Sequence, residues 1–273
     1  MSTWTPGPAW LFCPADRPDR YVKALAAADV VILDLEDAVA AANRPAAREA
    51  LRNLGRLDSD RSVVRVNGAG TDDHAADLAL TAELGIRRVM LAKAEEPGVV
   101  DAIGHDVVVL AETPLGIERA GELAGRPNVV ALMWGADDLV AGLGGTGSRY
   151  PDGRYRDVAR YARSRALVAA KSHGRLAVDA VHMDIPDVAG LAVQCADAVT
   201  VGFDATAAIH PSQVSVIRSS YAPAPERVDW ARRLLAHVGD DRGVTTFEGR
   251  MVDGPIFLQA KRVLRLAAAS RGV

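Results

Sequence analysis

The chain has 273 residues, 49% hydrophobic and 25% charged, with a formal net charge of −3. This is the composition of an ordinary globular enzyme, long enough for one large α/β domain or two smaller ones. No apolar stretch approaches the roughly 18 residues of a membrane span, and no basic stripe interleaved with aromatics points to nucleic acid.

The opening stretch "MSTWTPGPAWLFCPADR" has no basic segment leading into an apolar one, so no signal peptide is expected. The first β-like run, "WLFCPAD" (10–16), ends at Asp16 and Arg17. Cys13 and Cys195 are the chain's two cysteines, too few for a disulfide framework, which predicts a reducing cytoplasm.

"VVILDLEDAV" (30–39) poses the sharpest question: a nearly pure apolar run breaks into Asp34, Glu36 and Asp37. A strand so apolar is expected to be buried, and buried carboxylates cost several kcal/mol unless a cation answers them. "SVVRVN" (62–67) then ends in Arg65 and Asn67, and "RVMLAKAE" (88–95) in Lys93 and Glu95. "VVVLAET" (107–113) ends near Glu112, and "VVALMWGADDL" (129–139) carries Asp137 and Asp138. "LAVDAVHMD" (176–184) brings His182 and Asp184, and "AVTVGFD" (198–204) is the eighth run.

Helix-compatible stretches such as "RPAAREALRNL" and "YRDVARYARSRALVAAKSHG" follow the runs. Continuous rather than alternating hydrophobicity marks parallel strands covered by helices. Eight such units over about 220 residues predict an α/β fold, a (β/α)8 TIM barrel rather than a doubly wound sheet. The barrel is assigned to residues 1–222, with Pro223 and Pro225 opening a C-terminal segment, 223–273. That segment reads as a helix, the loop "GDDRGVTTFEGRMVDGP" and a closing helix, and forms a packed cap or a mobile lid. From residue 218 onward it carries ten Lys/Arg against six Asp/Glu, a modestly basic surface read as solvated helix.

The polar residues gather at the C-terminal ends of the runs, which form the catalytic face of such a barrel. Acids outnumber cations there, which favours a bound metal. No His/Cys cluster has zinc spacing, and hard carboxylates suit Mg2+ or Mn2+. Glu112 and Asp138, on adjacent strands, fit as the two protein ligands such an ion takes.

Other signals carry less. "GLGGTG" (142–147) matches the dinucleotide fingerprint in letters but lacks its strand–turn–helix setting, and reads as a loop. Lys93 invites a Schiff-base reading, but Glu95 and the strand-2 acids would keep it charged, as an ion pair beneath the metal site. Asp34, lying deeper, is expected to pair with Lys93. His182 and His210 read as structural, and Trp134 as barrel packing.

Taken in order, "LFCPADRPDRYVKA", "VVILDLEDAV", "VVRVN", "LAKAE", "LAETPLG", "WGADDL", "GFDATAAIHPSQ" and "FEGRMVDGP" resemble the HpcH/HpaI aldolase/citrate lyase family. The likeness is greatest to its stand-alone citrate-lyase-β-like acyl-CoA lyases of actinobacterial type. The resemblance implies a cytoplasmic Mg2+-dependent enzyme that cleaves a β-hydroxyacyl-CoA by retro-Claisen (aldol-type) chemistry, with CoA part of the substrate. It implies Glu112 and Asp138 as metal ligands, with Glu36 and Asp37 holding the ion's waters. Arg65 would stabilise the enolate or thioester oxygen, Phe12 would line the pocket, and Arg17 and Lys23 would meet the substrate carboxylate or CoA phosphates. The "IHPSQ" stretch, with His210, Pro211 and Gln213, would pack against the CoA adenine.

Asp253 would move the proton, delivered by the C-terminal segment into a neighbouring subunit's site of a homotrimer or a dimer of trimers. Asp37 joins Arg65 and Asp253 among the catalytic candidates. Two positions depart from the family pattern: Ala92 stands where Pro is usual before Lys93, and Asp137 where Glu is commoner. The rival readings are a malyl-CoA thioesterase or malate synthase-like activity, a CoA-independent pyruvate aldolase, a citrate lyase β subunit needing an acyl-carrier partner, and a non-enzymatic scaffold.

Overall fold

A computed structural model describes residues 4–238 and 243–269. The chain divides into two compact units, one ending at Ile217 and the other beginning at Arg218. In the first, β1 (Ala9–Pro14) leads to α1 (Tyr21–Ala27), β2 (Val30–Asp34) to α2 (Arg44–Asn53), and β3 (Ser62–Val66) to α3 (Asp72–Glu83). Then β4 (Arg88–Leu91) precedes α4 (Pro97–Ala102), and β5 (Asp106–Ala111) precedes α5 (Pro114–Glu118) and α6 (Ala120–Ala124). After β6 (Val129–Trp134) come α7 (Ala136–Gly142) and α8 (Asp157–Ser172). Finally β7 (Leu176–Asp179) leads to α9 (Val188–Val201), and β8 (Ala205–Ala208) to α10 (Pro211–Tyr221), which continues past the boundary at Ile217.

The eight strands pair in sequence order and close into a parallel barrel, with β8 returning to β1 through Ala9↔Thr206 and Trp10↔Ala207. This is the TIM-barrel class expected from the eightfold alternation. Inside it, Trp10, Ile32, Val63, Met90, Val108 and Met133 belong to one buried cluster, drawn from alternate positions along the strands. Alternation follows from the pleat, which turns successive side chains to opposite faces. The outward face is apolar as well, because helices cover it. On α8, Ala159, Ala162, Ala166 and Ala169 repeat at helical spacing and are all buried, so small side chains let this helix lie close against its neighbours.

One predicted strand is wrong. "AVTVGFD" (198–204) ends α9 and turns at Gly202, and the eighth strand is the next four residues, Ala205–Ala208. Three of the four are alanines, which are depleted in strands. The four become a strand because every one of them is buried where the barrel must close.

In the second unit, α11 (Pro225–Val238) and α12 (Gly254–Ala269) flank a hairpin of β9 (Thr245–Phe247) and β10 (Arg250–Val252). Ala231, Leu234, Val252, Phe257 and Ala260 form its own buried core. The hairpin lies within the segment expected to be a loop. Its turn residues Glu248 and Gly249 have φ of 50° and 75°, as a two-residue turn matched to strand twist requires. Residues 239–242 of that predicted loop and Ser270 of the closing helix lie outside the described residues. Among the described residues, no helix is long and apolar enough to cross a membrane.

Candidate active site

Carried one step past the buried layer, the inward alternation of the strands reaches Phe12, Asp34, Arg65, Glu112, Gly135 and Ile209, all of which line one cavity of about 340 Å3. Asp37, Asp137 and Asp138 join them from the loops and from the first turn of α7, while Leu110, Met133 and Trp134 supply apolar wall. Strand geometry therefore concentrates the chemistry at one end of the barrel.

The strand-2 acids divide their labour. Asp34 and Arg65 are register partners on β2 and β3. Arg65 Nε donates to Asp34 Oδ1 at 2.7 Å and Nη2 to Oδ2 at 2.5 Å. The same two oxygens accept the backbone N–H groups of Glu36 and Ala38, at 2.9 and 3.1 Å. Asp34 is 1% exposed and has these four donors, so it anchors the loop and the guanidinium. It pairs with Arg65, correcting the expected pairing with Lys93. Parallel register places position 34 beside 65, whereas position 93 lies two strands away.

Lys93 instead answers Glu36 and Asp37. Its Nζ contacts Glu36 Oε1, lies 3.0 Å from Asp37 Oδ2, and stands 3.8 Å from Asp138 Oδ1. Arg65 Nη1 also reaches Glu36 Oε2 at 3.2 Å. Burial pushes the Glu36 carboxyl up despite both cations. For Asp37 burial acts in the same direction, but the hydrogen bond and charge of Lys93 outweigh it and hold this carboxyl low. Burial would disfavour the charge on Arg65 and Lys93, yet the surrounding carboxylates hold both above their ordinary values. Lys93 is thus an ammonium, unsuited to Schiff-base chemistry.

Glu112 follows β5 directly. Thr113 then caps α5, its side chain accepting the Gly116 N–H at 3.0 Å, and Pro114 takes the first helical turn. Glu112 is 2% exposed, and its Oε1 accepts the backbone N–H of Lys93 at 3.1 Å. Burial first, and the negative charge of Asp138 second, push its carboxyl up to about 8. Across the cavity wall, a Cβ on Gly135 would come within 2.8 Å of Glu112 Cβ and Oε2, so only glycine leaves this carboxylate its seat. Asp138 sits in the first turn of α7, where the helix end favours a negative charge.

Two facing carboxylates, one of them raised by burial and by the other, form a donor set that fits a hard divalent cation. Among the described residues no group of three or more His, Cys, Asp or Glu is arranged to hold an ion. Two protein oxygens with water and substrate completing the shell suit Mg2+.

The remaining expected site residues are not among those that line the cavity. Arg17 is exposed and pairs with Asp19 at 3.1 Å, and Lys23 is exposed on α1. His210 and Pro211 are exposed where α10 begins after β8, the strand that pairs with β1. Gln213 is 2% exposed and accepts the N–H groups of Ile209 and His210 while donating to the His182 carbonyl at 2.8 Å. It shapes the turn that presents His210 and Pro211. Asp253 belongs to the second unit, where its carbonyl accepts the Phe257 N–H in the first turn of α12.

His182 is held between Gln194 and Asp187, and "GLGGTG" runs from the end of α7 into a loop. Trp134 is buried as expected, and its indole N–H also donates to Asp179 at 2.7 Å. Gly135 and the apolar wall had no distinguishing sequence signal beyond their place at a strand end.

The model of the family described as HpcH/HpaI aldolase/citrate lyase matches residues 9–211. A "citrate lyase subunit beta-like protein" of Mycobacterium tuberculosis is 53% identical over 268 residues, covering 98% of each chain. A "(3S)-malyl-CoA thioesterase" of Cereibacter sphaeroides is 31% identical over 273 residues, covering 95% of this chain and 94% of that one. Among solved structures, the protein CitE of M. tuberculosis in complex with magnesium, acetoacetate and coenzyme A superposes with a TM-score of 0.91 at 54% identity, covering 96% of this chain and 98% of that one.

Proposed function

Because this chain belongs to the HpcH/HpaI aldolase/citrate lyase family, we propose that it is a Mg2+-dependent lyase that cleaves the carbon–carbon bond of a β-hydroxyacyl-CoA. The observation that carries the reading is the pairing of Glu112 and Asp138 across a cavity that also holds the Arg65 guanidinium. The similarity to a structure holding magnesium, acetoacetate and coenzyme A supports it.

Glu112 and Asp138 would hold the ion, and Lewis-acid polarisation of a substrate hydroxyl or carbonyl oxygen is the chemistry that Mg2+, or Mn2+ in its place, would supply. A carboxylate takes the β-hydroxyl proton, with Asp253 in that role. The bond between the α- and β-carbons breaks, the β-carbon becomes a keto-acid or other carbonyl, and the electron pair passes to the thioester as an enolate. Arg65 places positive charge where that oxygen becomes negative, in a site shielded from water. Its hold on Asp34 and Glu36 keeps the guanidinium aimed before the reaction begins. Returning the proton to the α-carbon releases an acyl-CoA such as acetyl-CoA. Phe12, Leu110 and Met133 keep water from the enolate. Arg17 and Lys23 meet the anionic end of the substrate, and His210 and Pro211 the adenine. The enzyme works in the cytoplasm as a homotrimer.

Incubating the protein with Mg2+ and a panel of β-hydroxyacyl-CoA thioesters, and weighing the products, tests this. A shorter acyl-CoA with a carbonyl partner is the expected outcome. Free CoA with an intact hydroxy acid would instead establish the thioesterase reading that the C. sphaeroides relative favours. No turnover on any member would remove the lyase reading.

A further inference from the structure

Lys93 is one of two non-glycine residues with positive φ among the described residues, at 50°. A lysine has no intrinsic reason to adopt this left-handed backbone, so the surroundings impose it. They do so with backbone on both sides. A side chain on Gly116 would come within 2.5 Å of the Ala94 carbonyl, and one on Gly68 within 3.2 Å of the Ala92 carbonyl and 3.4 Å of Lys93 Cβ. Ala92 and Ala94 N–H groups are tied to Val66 and Leu110 of the flanking strands. The result is a turn that aims the Lys93 N–H at Glu112 while its ammonium reaches back to strand 2.

Apart from Asp137, whose Oδ1 accepts the Ser148 hydroxyl at 2.7 Å, the acids of the cavity mouth then fall into three groups. Asp34 is spent on Arg65 and two backbone N–H groups. Glu36 and Asp37 are held by the Lys93 ammonium, which stays 3.8 Å from Asp138, beyond hydrogen-bond reach. Glu112 and Asp138 remain.

We propose that Lys93 is a positioning residue that limits the divalent ion to two protein carboxylates, by holding Glu36 and Asp37 back from it. The inference rests on the reading of Glu112 and Asp138 as ligands. Its value to the enzyme is chemical. Every coordination position denied to Glu36 and Asp37 stays available to water and then to substrate oxygen. An ion held by four carboxylates would bind more tightly and accept less substrate.

Lys93→Met removes the ammonium and keeps the backbone N–H. The readouts are Mn2+ affinity by calorimetry, inner-sphere waters by water-proton relaxation of the Mn2+-loaded protein, and turnover. The expected result is Mn2+ binding at least tenfold tighter, loss of at least one inner-sphere water, and slower turnover. Lys93→Arg, which restores the charge, should return the water count toward that of the unaltered protein. Unchanged or weaker Mn2+ binding with an unchanged water count in Lys93→Met would overturn the proposal. Should that variant fail to fold, Lys93→Gly, which the left-handed backbone accommodates, is read the same way. Glu112→Gln separates the two claims. If it abolishes Mn2+ binding while Lys93→Met changes nothing, only the role of Lys93 falls. If it binds Mn2+ undiminished, the ligand assignment itself falls.

Discussion

Glu112 is the residue on which the site turns, and its condition is set by what surrounds it. It is nearly fully buried, faces Asp138, and is fixed by one backbone N–H. A carboxylate in that position stays charged at neutral pH only beside a cation. Its seat depends on Gly135, because a methyl group there would overlap Glu112. Gly135→Ala is therefore expected to displace the carboxylate and to weaken divalent-ion affinity and kcat/KM by tenfold or more. The circular dichroism spectrum should stay unchanged. Calorimetry with Mn2+ checks it, and full affinity in the variant would show that Glu112 has another seat. Nothing in the letters "WGADD" distinguishes this glycine from a helix-cap glycine, since the clash involves a residue 23 positions earlier on a neighbouring strand.

The elements differ in how openly their sequences declare them. Seven strands were legible because apolar runs of the right length were bounded by turns and helices. The eighth was hidden: "ATAA" looks helical by propensity, and "AVTV" just before it looks like a strand, yet closure of the barrel reverses both. Elements also decide the behaviour of the two thiols. Cys13 on β1 and Cys195 on α9 are buried by the faces that carry them, which pushes their thiols up to about 11 and about 12. Both stay protonated at neutral pH, so a thiol reagent at pH 7.5 should find none in the native protein and two after denaturation.

Below the ordinary thiol value of 9.0 both states are protonated and the contribution to stability is full. Above it the unfolded chain loses protons that the native chain keeps, so stability falls as pH rises toward 11 and 12. Rapid labelling of the native protein would contradict this burial.

At the scale of the whole molecule, the proposed homotrimer makes a claim that mixing can test. Sedimentation equilibrium should give three times the chain's 28.8 kDa. If Asp253 serves a neighbouring subunit, mixed trimers of Asp253→Ala and Glu112→Gln should regain part of the activity that each variant lacks alone. A monomeric mass would remove the oligomeric reading, and mixed trimers as inactive as their parents would confine Asp253 to its own subunit.

What the sequence determined by itself was whatever its local periodicity and chemistry record. The eightfold strand–helix alternation predicts a barrel, and the polar residues that end the strands predict its catalytic face. The acid excess and the missing zinc spacing predict a hard divalent ion. Tertiary structure alone decided the partnerships: Asp34 with Arg65 rather than Lys93, Glu36 and Asp37 as the two strand-2 acids that Lys93 meets, and Glu112 against Gly135. It also decided that four small residues form the closing strand. The physical reason is common to all of these. Which charge meets which depends on strand register and barrel closure, and those join residues dozens of positions apart that no local pattern connects.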